Sequence, residues 1–127
     1  ATDLSAALVA TGFSYHSERR AEQARRLAMV LPHIRDVRRL GAAAPDLCHL
    51  AAGRVDAYFE QWLGPWDHAA GALIARESGC RTTGAADGVI GTGAPGDGDW
   101  VVAAPPTLFP ALEALLRHVE SDRLRNR

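Results

Sequence analysis

The sequence has no lysine, and every basic side chain in it is an arginine. This absence is typical of GC-rich coding and points to no mechanism. Fourteen basic residues face fifteen acidic ones, which gives a net charge of -1. Because neither sign is in excess, the composition excludes an overall electrostatic attraction to nucleic acid or to an anionic membrane.

Cysteine is scarce, and long apolar runs are missing. Cys48 and Cys80 lie far apart and form no CxxC pair, which excludes a disulfide framework and a zinc ribbon. No apolar run approaches the roughly 18 residues of a membrane span. The N-terminus also lacks the basic-then-apolar layout of a signal peptide. We therefore expect a cytoplasmic protein that does not contact a membrane.

The 127 residues, 47% of them hydrophobic, suffice for one domain with one packed core. We expect this domain to span residues 1–120, with a frayed tail at 121–127. The chain opens at Ala1, without an initiator methionine, and enters an apolar stretch at once. This beginning is typical of a fragment of a longer protein.

Strand and helix signals alternate from end to end, which predicts an α/β layered sandwich with a mainly parallel mixed sheet flanked by helices. Strands are predicted at residues 4–11, 36–40, 55–61 and 100–104. Helices are predicted at residues 17–32, 42–52 and 67–77, and from the Pro-Pro pair at 105–106 to residue 119. Residues 84–98 contain six glycines and are predicted to form a surface loop that does not bind a nucleotide.

Periodicity also predicts which face of each element is buried. Residues 55–61 alternate as in a half-buried strand, with Tyr58 on the exposed side. The first helix has an apolar stripe and a solvated face that carries its arginines at 19, 20, 25 and 26; the stripe is Ala24, Leu27, Ala28 and Leu31. The third helix is predicted to face inward with Ala70, Leu73 and Ile74, and the last helix with Leu108, Leu112, Leu115, Leu116 and Val119.

Two carboxylates are the sharpest candidates for chemistry. Asp67 lies between a turn and a helix start, at the end of a strand, where ligands of open α/β sheets bind. Taken alone, an aspartate at this position more often caps the helix that follows it. Glu60 precedes it on the same connection and could help bind a cation or a polyol, or be an exposed charge at the strand end. The five histidines show no regular ligand spacing, so no zinc site is predicted.

The order of motifs resembles the inositol monophosphatase family between Ala10 and about Gly79. The resemblance is carried by residues 39–44 (Arg-Leu-Gly-Ala-Ala-Ala), 46–48 (Asp-Leu-Cys), 51–60 (Ala-Ala-Gly-Arg-Val-Asp-Ala-Tyr-Phe-Glu), 65–71 (Pro-Trp-Asp-His-Ala-Ala-Gly) and 77–79 (Glu-Ser-Gly). The Trp-Asp-x-Ala-Ala-Gly stretch is highly specific. The chain resembles the C-terminal half of a magnesium-dependent phosphatase that hydrolyses inositol monophosphate or related sugar phosphates.

The resemblance implies a role for each matching residue. Asp67 would be the one metal-ligating carboxylate that this half supplies, with Mg²⁺ as the cofactor. Glu60 would accept hydrogen bonds from an inositol hydroxyl. The same ring would contact the backbone of Gly41, Ala42 and Ala43, and Arg38 would add a polar contact. At residue 42 the family often has serine or threonine, so the resemblance implies that a hydroxyl contact is lost there.

The resemblance also implies what this sequence does not contain. The family's Gly-Glu metal motif and its Asp-Pro-Ile-Asp-Gly-Thr motif belong to an N-terminal half. Their carboxylates complete the metal site, and their threonine orients the attacking water. One carboxylate would hold Mg²⁺ only weakly, so the chain alone is expected to be inactive.

Other functions remain open within the resemblance. Some relatives contact the transcription machinery, and the arginine-bearing helix could dock an acidic partner. A phosphatase acting on fructose bisphosphate or on nucleotide phosphates would use the same chemistry with another pocket. The family is usually homodimeric, so we expect a homodimer of the intact protein, with a small-molecule phosphate as ligand and no direct nucleic-acid partner.

Overall fold

Helices and strands alternate along the chain in a computed structural model that describes residues 2–62, 65–82 and 100–125. The predicted loop at 84–98 lies outside these residues. The strands are β1 (Leu8–Thr11), β2 (Asp36–Arg38), β3 (Ala57–Gln61), β4 (Arg81–Thr82) and β5 (Trp100–Ala104). The helices are α1 (Ser17–Val30), α2 (Ala43–Ala51), α3 (Pro65–Glu77) and α4 (Phe109–Arg125). Short 3-10 helices precede β1 and follow α1.

The strands form one sheet in the order β2-β1-β3-β5-β4. β1 pairs in parallel with both of its neighbours, so that Val9 lies opposite Val37 of β2 and Ala57 of β3. β5 runs antiparallel to β3 and to β4, and it therefore opposes the other four described strands. The predicted α/β class with a mainly parallel mixed sheet is confirmed.

Helices cover both faces of the sheet. On one face Val9, Phe59 and Val102 pack with α1 and α4 in a single apolar cluster. On the other face Ala10, Tyr58 and Val101 pack with α2 and α3. Because both faces are covered, Tyr58 and Phe59 are both buried, and the prediction of a half-buried β3 is wrong. None of the described helices combines the length and apolarity that crossing a membrane requires.

The predicted inner face of α1 is wrong. Ala24, Ala28 and Leu31 are exposed, and the buried face carries Gln23, Arg26 and Val30 instead; only Leu27 of the predicted stripe packs partly against the core. Gln23 and Arg26 can be buried because each has polar partners there. Gln23 Oε1 accepts a hydrogen bond from Ser14 N at 2.9 Å, and Arg26 belongs to a network described below. Periodicity assigns polar residues to solvent and cannot anticipate such partners.

The predicted inner face of α3 is also wrong. Leu73 is 55% exposed and Ile74 46% exposed, and Ala70 is exposed too, whereas Ala72 and Ala75 are buried. Close packing of α3 on α2 explains why small residues, and not Leu73 and Ile74, are buried. A Cβ atom on Gly71 would lie 2.8 Å from Cβ of Leu47, so this crossing admits only small residues on α3.

The remaining boundaries differ by a few residues at most element ends. Leu4–Ala6 is a 3-10 helix, so β1 begins at Leu8 rather than at residue 4, and β3 begins at Ala57 rather than at residue 55. The two-residue strand β4 was not predicted. β5 and the buried stripe of α4 are confirmed, and α4 continues to Arg125.

Candidate functional site

A cavity of about 550 Å³ lies at the carboxyl ends of β1, β2 and β3. This is the edge at which open α/β sheets bind ligands, and the volume suits a small molecule. The walls come from the segments that follow the three strands. They comprise residues 12–16 after β1, residues 39 and 41–44 after β2, residues 60–62 at the end of β3, and Arg19 of α1. We call this cavity the cleft.

The cleft brings together four of the six residues that the sequence singled out. Gly41, Ala42, Ala43 and Glu60 all line it. Asp67 lies on α3, which begins at Pro65, so Asp67 occupies the first helical turn and not the cap position. Its side chain lies outside the described part of the structure.

Arg38 is placed elsewhere. Its Nη1 donates to the backbone oxygen of Val37 at 3.1 Å and lies 3.4 Å from Oδ2 of Asp36. The side chain of Arg38 is half exposed, and the arginines that line the cleft are Arg19 and Arg39. The substrate contact predicted for Arg38 stays a prediction.

The turn before α2 brings main chain to the cleft surface. Gly41 has a φ of +97°, a conformation in which a Cβ atom is strained. Ala42 follows as the N-cap of α2 in an extended conformation, and no side-chain hydrogen bond caps the helix. The first amides of a helix lack acceptors within it. At this wall they are donors available to a ligand.

Contacts from two directions position Glu60. The hydroxyl of the buried Tyr58 donates to Oε1 of Glu60 at 2.9 Å. On the other side Gly12 packs so closely that a Cβ atom there would lie 2.8 Å from the carboxyl carbon of Glu60. The carboxylate is therefore fixed in direction at the end of β3.

A buried polar network supports the cleft from below. Arg26 is 5% exposed, and its Nη1 donates to Oε1 of Gln61 at 2.6 Å. Gln61 Nε2 and Trp100 Nε1 both donate to Oε1 of Glu120, at 3.2 and 3.0 Å. Arg26 also lies 3.3 Å from Glu22 and 3.6 Å from Glu120. The network connects α1, β3, β5 and α4, and it includes Gln61, the residue next to Glu60 in β3.

A buried acid lies on α2. Asp46 is fully buried, and neither of its carboxylate oxygens has a hydrogen bond within the described residues. Burial raises the pKa of Asp46 to about 6, while the positive charge of Arg39 acts in the opposite direction. Asp46 is in the first turn of α2, just behind the Ala42–Ala44 wall.

Sequence reasoning missed several residues of the cleft. They are Gly12, Phe13, Ser14, Tyr15, His16, Arg19, Arg39, Ala44, Gln61 and Trp62. One signal was present: Gly12 ends a buried strand, and segments that follow parallel strands meet at one sheet edge. Arg19 could not have been found in this way, because it was assigned to a solvated helix face.

The described side chains do not form a metal site by themselves. Among them, no group of three or more His, Cys, Asp and Glu residues could hold a metal ion. Glu60 is the carboxylate in the described wall of the cleft. Magnesium requires a nearly octahedral shell of oxygens, so further donors would have to join any that this chain provides.

The fold defines an α/β protein with an open cavity at the carboxyl ends of its parallel strands. The chain matches the Inositol monophosphatase family over residues 1–121. It belongs to that family.

Individual relatives agree with this membership. An inositol-1-monophosphatase of Mycobacterium leprae is 53% identical over 116 residues, which cover 91% of this chain and 38% of the relative. The Nus factor SuhB of Vibrio cholerae is 40% identical over 121 residues, covering 94% of this chain and 43% of that protein. The solved structure of Mycobacterium tuberculosis SuhB aligns with a TM-score of 0.80 and 47% identity, covering 94% of this chain and 44% of that one. This chain spans less than half the length of these relatives.

Proposed function

We propose that this chain is the polyol-binding half of a magnesium-dependent phosphatase that acts on inositol monophosphate or related sugar phosphates. The observation that carries the proposal is the cleft itself, in which Glu60 and the backbone of Gly41–Ala43 meet in a member of the inositol monophosphatase family. A fixed carboxylate accepts hydrogen bonds from ring hydroxyls. Small residues beside it let the ring approach the main chain.

Asp67 supplies one ligand for Mg²⁺ in this proposal. It lies in the first turn of α3, on the connection that follows β3 and Glu60. When bound, the metal would activate water and stabilise the departing oxygen during displacement at phosphorus. In this proposal the other ligands come from outside the 127 residues, and the chain alone is therefore inactive. The proposed active form is a homodimer of a longer protein, as the resemblance to the family implies.

The test is phosphate release by the full-length protein that contains this chain. Inositol 1-phosphate and other sugar phosphates are supplied with and without Mg²⁺. Magnesium-stimulated release that Glu60→Gln weakens through a higher KM supports the proposal. No stimulated release from any of these substrates contradicts it, and sedimentation of the same sample decides whether the protein is a dimer.

A second candidate function is docking to a transcription component. The observation that favours it is the name of the Vibrio cholerae relative, a Nus factor. On α1 of this chain Arg20 and Arg25 are exposed and could contact an acidic partner, whereas Arg26 is buried and could not. Capture of transcription proteins that is lost in Arg25→Glu supports docking, and equal capture by both forms removes it.

A further inference from the structure

Trp62, in the wall of the cleft, has a strained backbone. Its φ is 66°, whereas the other positive φ values among the described residues belong to glycines. A bulky side chain is an outlier at this φ, and such strain persists only where the surrounding structure holds the residue. Strained residues of this kind are concentrated at ligand sites. The conformation of Trp62 thus points to a role beyond local stability.

No hydrogen bond of the indole offsets this strain. The Nε1 atom of Trp62 is buried and has no hydrogen-bond partner within the described residues. A buried tryptophan N–H usually finds an acceptor, and one without an acceptor is destabilising. Glycine at residue 62 would remove both costs, because it adopts a positive φ freely and has no side chain. Local stability therefore does not explain a tryptophan at this position.

Contacts on two sides hold Trp62 in place. The guanidinium carbon of Arg19 lies 4.3 Å from the centroid of the Trp62 ring, which is within the range of a cation–π interaction. The preceding residue, Gln61, is 3% exposed, and its side chain is hydrogen-bonded to Arg26 and to Glu120. Trp62 is therefore fixed, and its side chain is partly exposed where it lines the cleft.

Trp62 and Glu60 belong to the same wall of the cleft. Residues 60–62 at the end of β3 form this wall, and the small residues at 41–44 after β2 form another. Because β1 lies between β2 and β3 in the sheet, the two walls flank the segment that follows β1. A carboxylate and an aromatic ring in one wall suit a cyclic polyol. The carboxylate accepts hydrogen bonds from hydroxyl groups, and the aromatic ring covers the apolar C–H face of the polyol ring.

We propose that Trp62 is a specificity-determining residue that stacks on the C–H face of a cyclic polyol phosphate and thereby favours ring-shaped over open-chain substrates. The inference rests on the proposed function and narrows its substrate class to cyclic polyols and to sugars in their ring form. An open-chain polyol phosphate offers hydroxyl groups to Glu60 but no flat C–H face to Trp62. It also loses more conformational freedom on binding. That cost does not depend on Trp62, so the informative quantity is the change in preference between variants.

The test measures binding to the full-length protein that contains this chain, in the presence of a metal chelator so that no turnover is needed. The probes are myo-inositol 1-phosphate and glucitol 6-phosphate, which have the same number of carbons, free hydroxyls and phosphates. Calorimetric titration gives both affinities for each variant. Stacking on an aromatic ring changes affinity by a factor of about two to ten.

Two substitutions separate the aromatic face from bulk. Trp62→Leu keeps an apolar side chain without an aromatic ring, and it should lose that factor for the inositol phosphate alone. Trp62→Phe is the matched control, because it keeps an aromatic ring at the same strained φ and should retain most of the preference. Trp62→Gly should show the same selective loss as Trp62→Leu. Because glycine adopts this φ without strain, this variant keeps the test decisive if Trp62→Leu does not fold.

Three results overturn the proposal. The first is a preference for the inositol phosphate that is unchanged in Trp62→Leu or, where that variant does not fold, in Trp62→Gly. The second is an equal loss of affinity for both probes, which is the result of a merely structural role. The third is failure of the parent protein to bind the inositol phosphate. Circular dichroism and melting temperatures establish which variants share the parent fold.

The outcome is separable from that of the proposed function. A full-length protein that releases no phosphate, but whose ring preference depends on Trp62, contradicts the phosphatase and retains this inference. A full-length protein that hydrolyses inositol 1-phosphate, with a ring preference that is the same in Trp62→Leu, does the reverse.

Discussion

Gly12 and Glu60 are in contact across the ends of β1 and β3, so that a Cβ atom on Gly12 would lie 2.8 Å from the carboxyl carbon of Glu60. Gly12→Ala must therefore displace the carboxylate. If Glu60 binds a ring hydroxyl, the lost hydrogen bond to a charged group raises KM for inositol 1-phosphate by about tenfold or more. Steady-state kinetics of the full-length protein measure this effect.

Tyr58→Phe is the companion variant to Gly12→Ala. It removes the 2.9 Å hydrogen bond to Glu60 without adding bulk, and it should raise KM in the same direction by a smaller factor. A melting temperature recorded for each variant separates binding from unfolding. An unchanged KM in both variants would show that Glu60 does not contact the substrate.

Asp67→Asn tests the metal ligand. A carboxylate in the first turn of a helix gains about 0.3–1 kcal/mol from the helix dipole, so the free energy of unfolding should fall by no more than about 1 kcal/mol. Turnover by the full-length protein should fall by orders of magnitude, because Mg²⁺ is held by only one or two carboxylates beside its waters and a neutral amide oxygen binds it much more weakly than a carboxylate. Retained turnover together with a large loss of stability would assign Asp67 a purely structural role.

Ala42→Ser should stabilise the domain. Ala42 is the N-cap of α2 and offers no side-chain acceptor, whereas serine is a preferred cap that contributes about 1 kcal/mol over alanine. Urea denaturation of the chain measures the gain. Ala44→Ser, inside the same helix, is the control and should be neutral or slightly destabilising; equal effects of the two substitutions would argue against capping.

Arg26→Ala should destabilise the fold far more than Arg25→Ala. Removing Arg26 leaves Oε1 of Gln61 without the donor Nη1 and takes the positive charge away from Glu22 and Glu120. An acceptor that loses its buried partner costs about 1–3 kcal/mol, whereas Arg25 is exposed and its removal should cost little. Denaturant midpoints of the two variants give the comparison. Similar midpoints would mean that the network does not hold α1 on the sheet.

How much of this could be predicted from sequence depended on whether the determining contacts were local. The alternation of apolar runs was enough for the α/β class. The stripe of α4 was confirmed, since its leucines and its valine pack into the apolar cluster on one face of the sheet. The buried faces of α1 and α3 were not predictable. On α1, Arg26 is buried because it has partners on β3 and α4. On α3, Gly71 is buried because Leu47 of α2 approaches it closely. Both depend on residues distant in sequence.

The candidate site divides in the same way. Gly41–Ala43 and Glu60 were found through motifs, and the structure places them in one cleft. Arg39 belongs to the motif at residues 39–44 but was not singled out there, and Arg19 belongs to none of the motifs. They belong to the cleft only because the segments after β1 and β2 meet at one sheet edge.

The buried carboxylate of Asp46 predicts an unusual dependence of stability on pH. Burial raises its pKa from 3.8 to about 6 in the folded chain, so between these values the folded state binds a proton that the unfolded state has released. Stability therefore falls as the pH rises from about 4 to about 6, which is the reverse of the effect of a carboxylate whose pKa is lowered. Asp36 is a carboxylate whose pKa is lowered, because it accepts a hydrogen bond from the backbone of Val37. It therefore titrates below about pH 4 and does not contribute between about pH 4 and about pH 6.

Asp46→Asn isolates the contribution of Asp46. The variant cannot ionise at this position, so its free energy of unfolding should exceed that of the parent chain at pH 7, and the difference should disappear near pH 4. Urea denaturation at several pH values between 4 and 7 measures both curves. Ala44→Ser, on the same helix turn, should run parallel to the parent chain throughout. If the curve of Asp46→Asn also ran parallel to that of the parent chain, Asp46 would be ionised in the folded chain across this pH range. An interaction that offsets the effect of burial would then stabilise its charge.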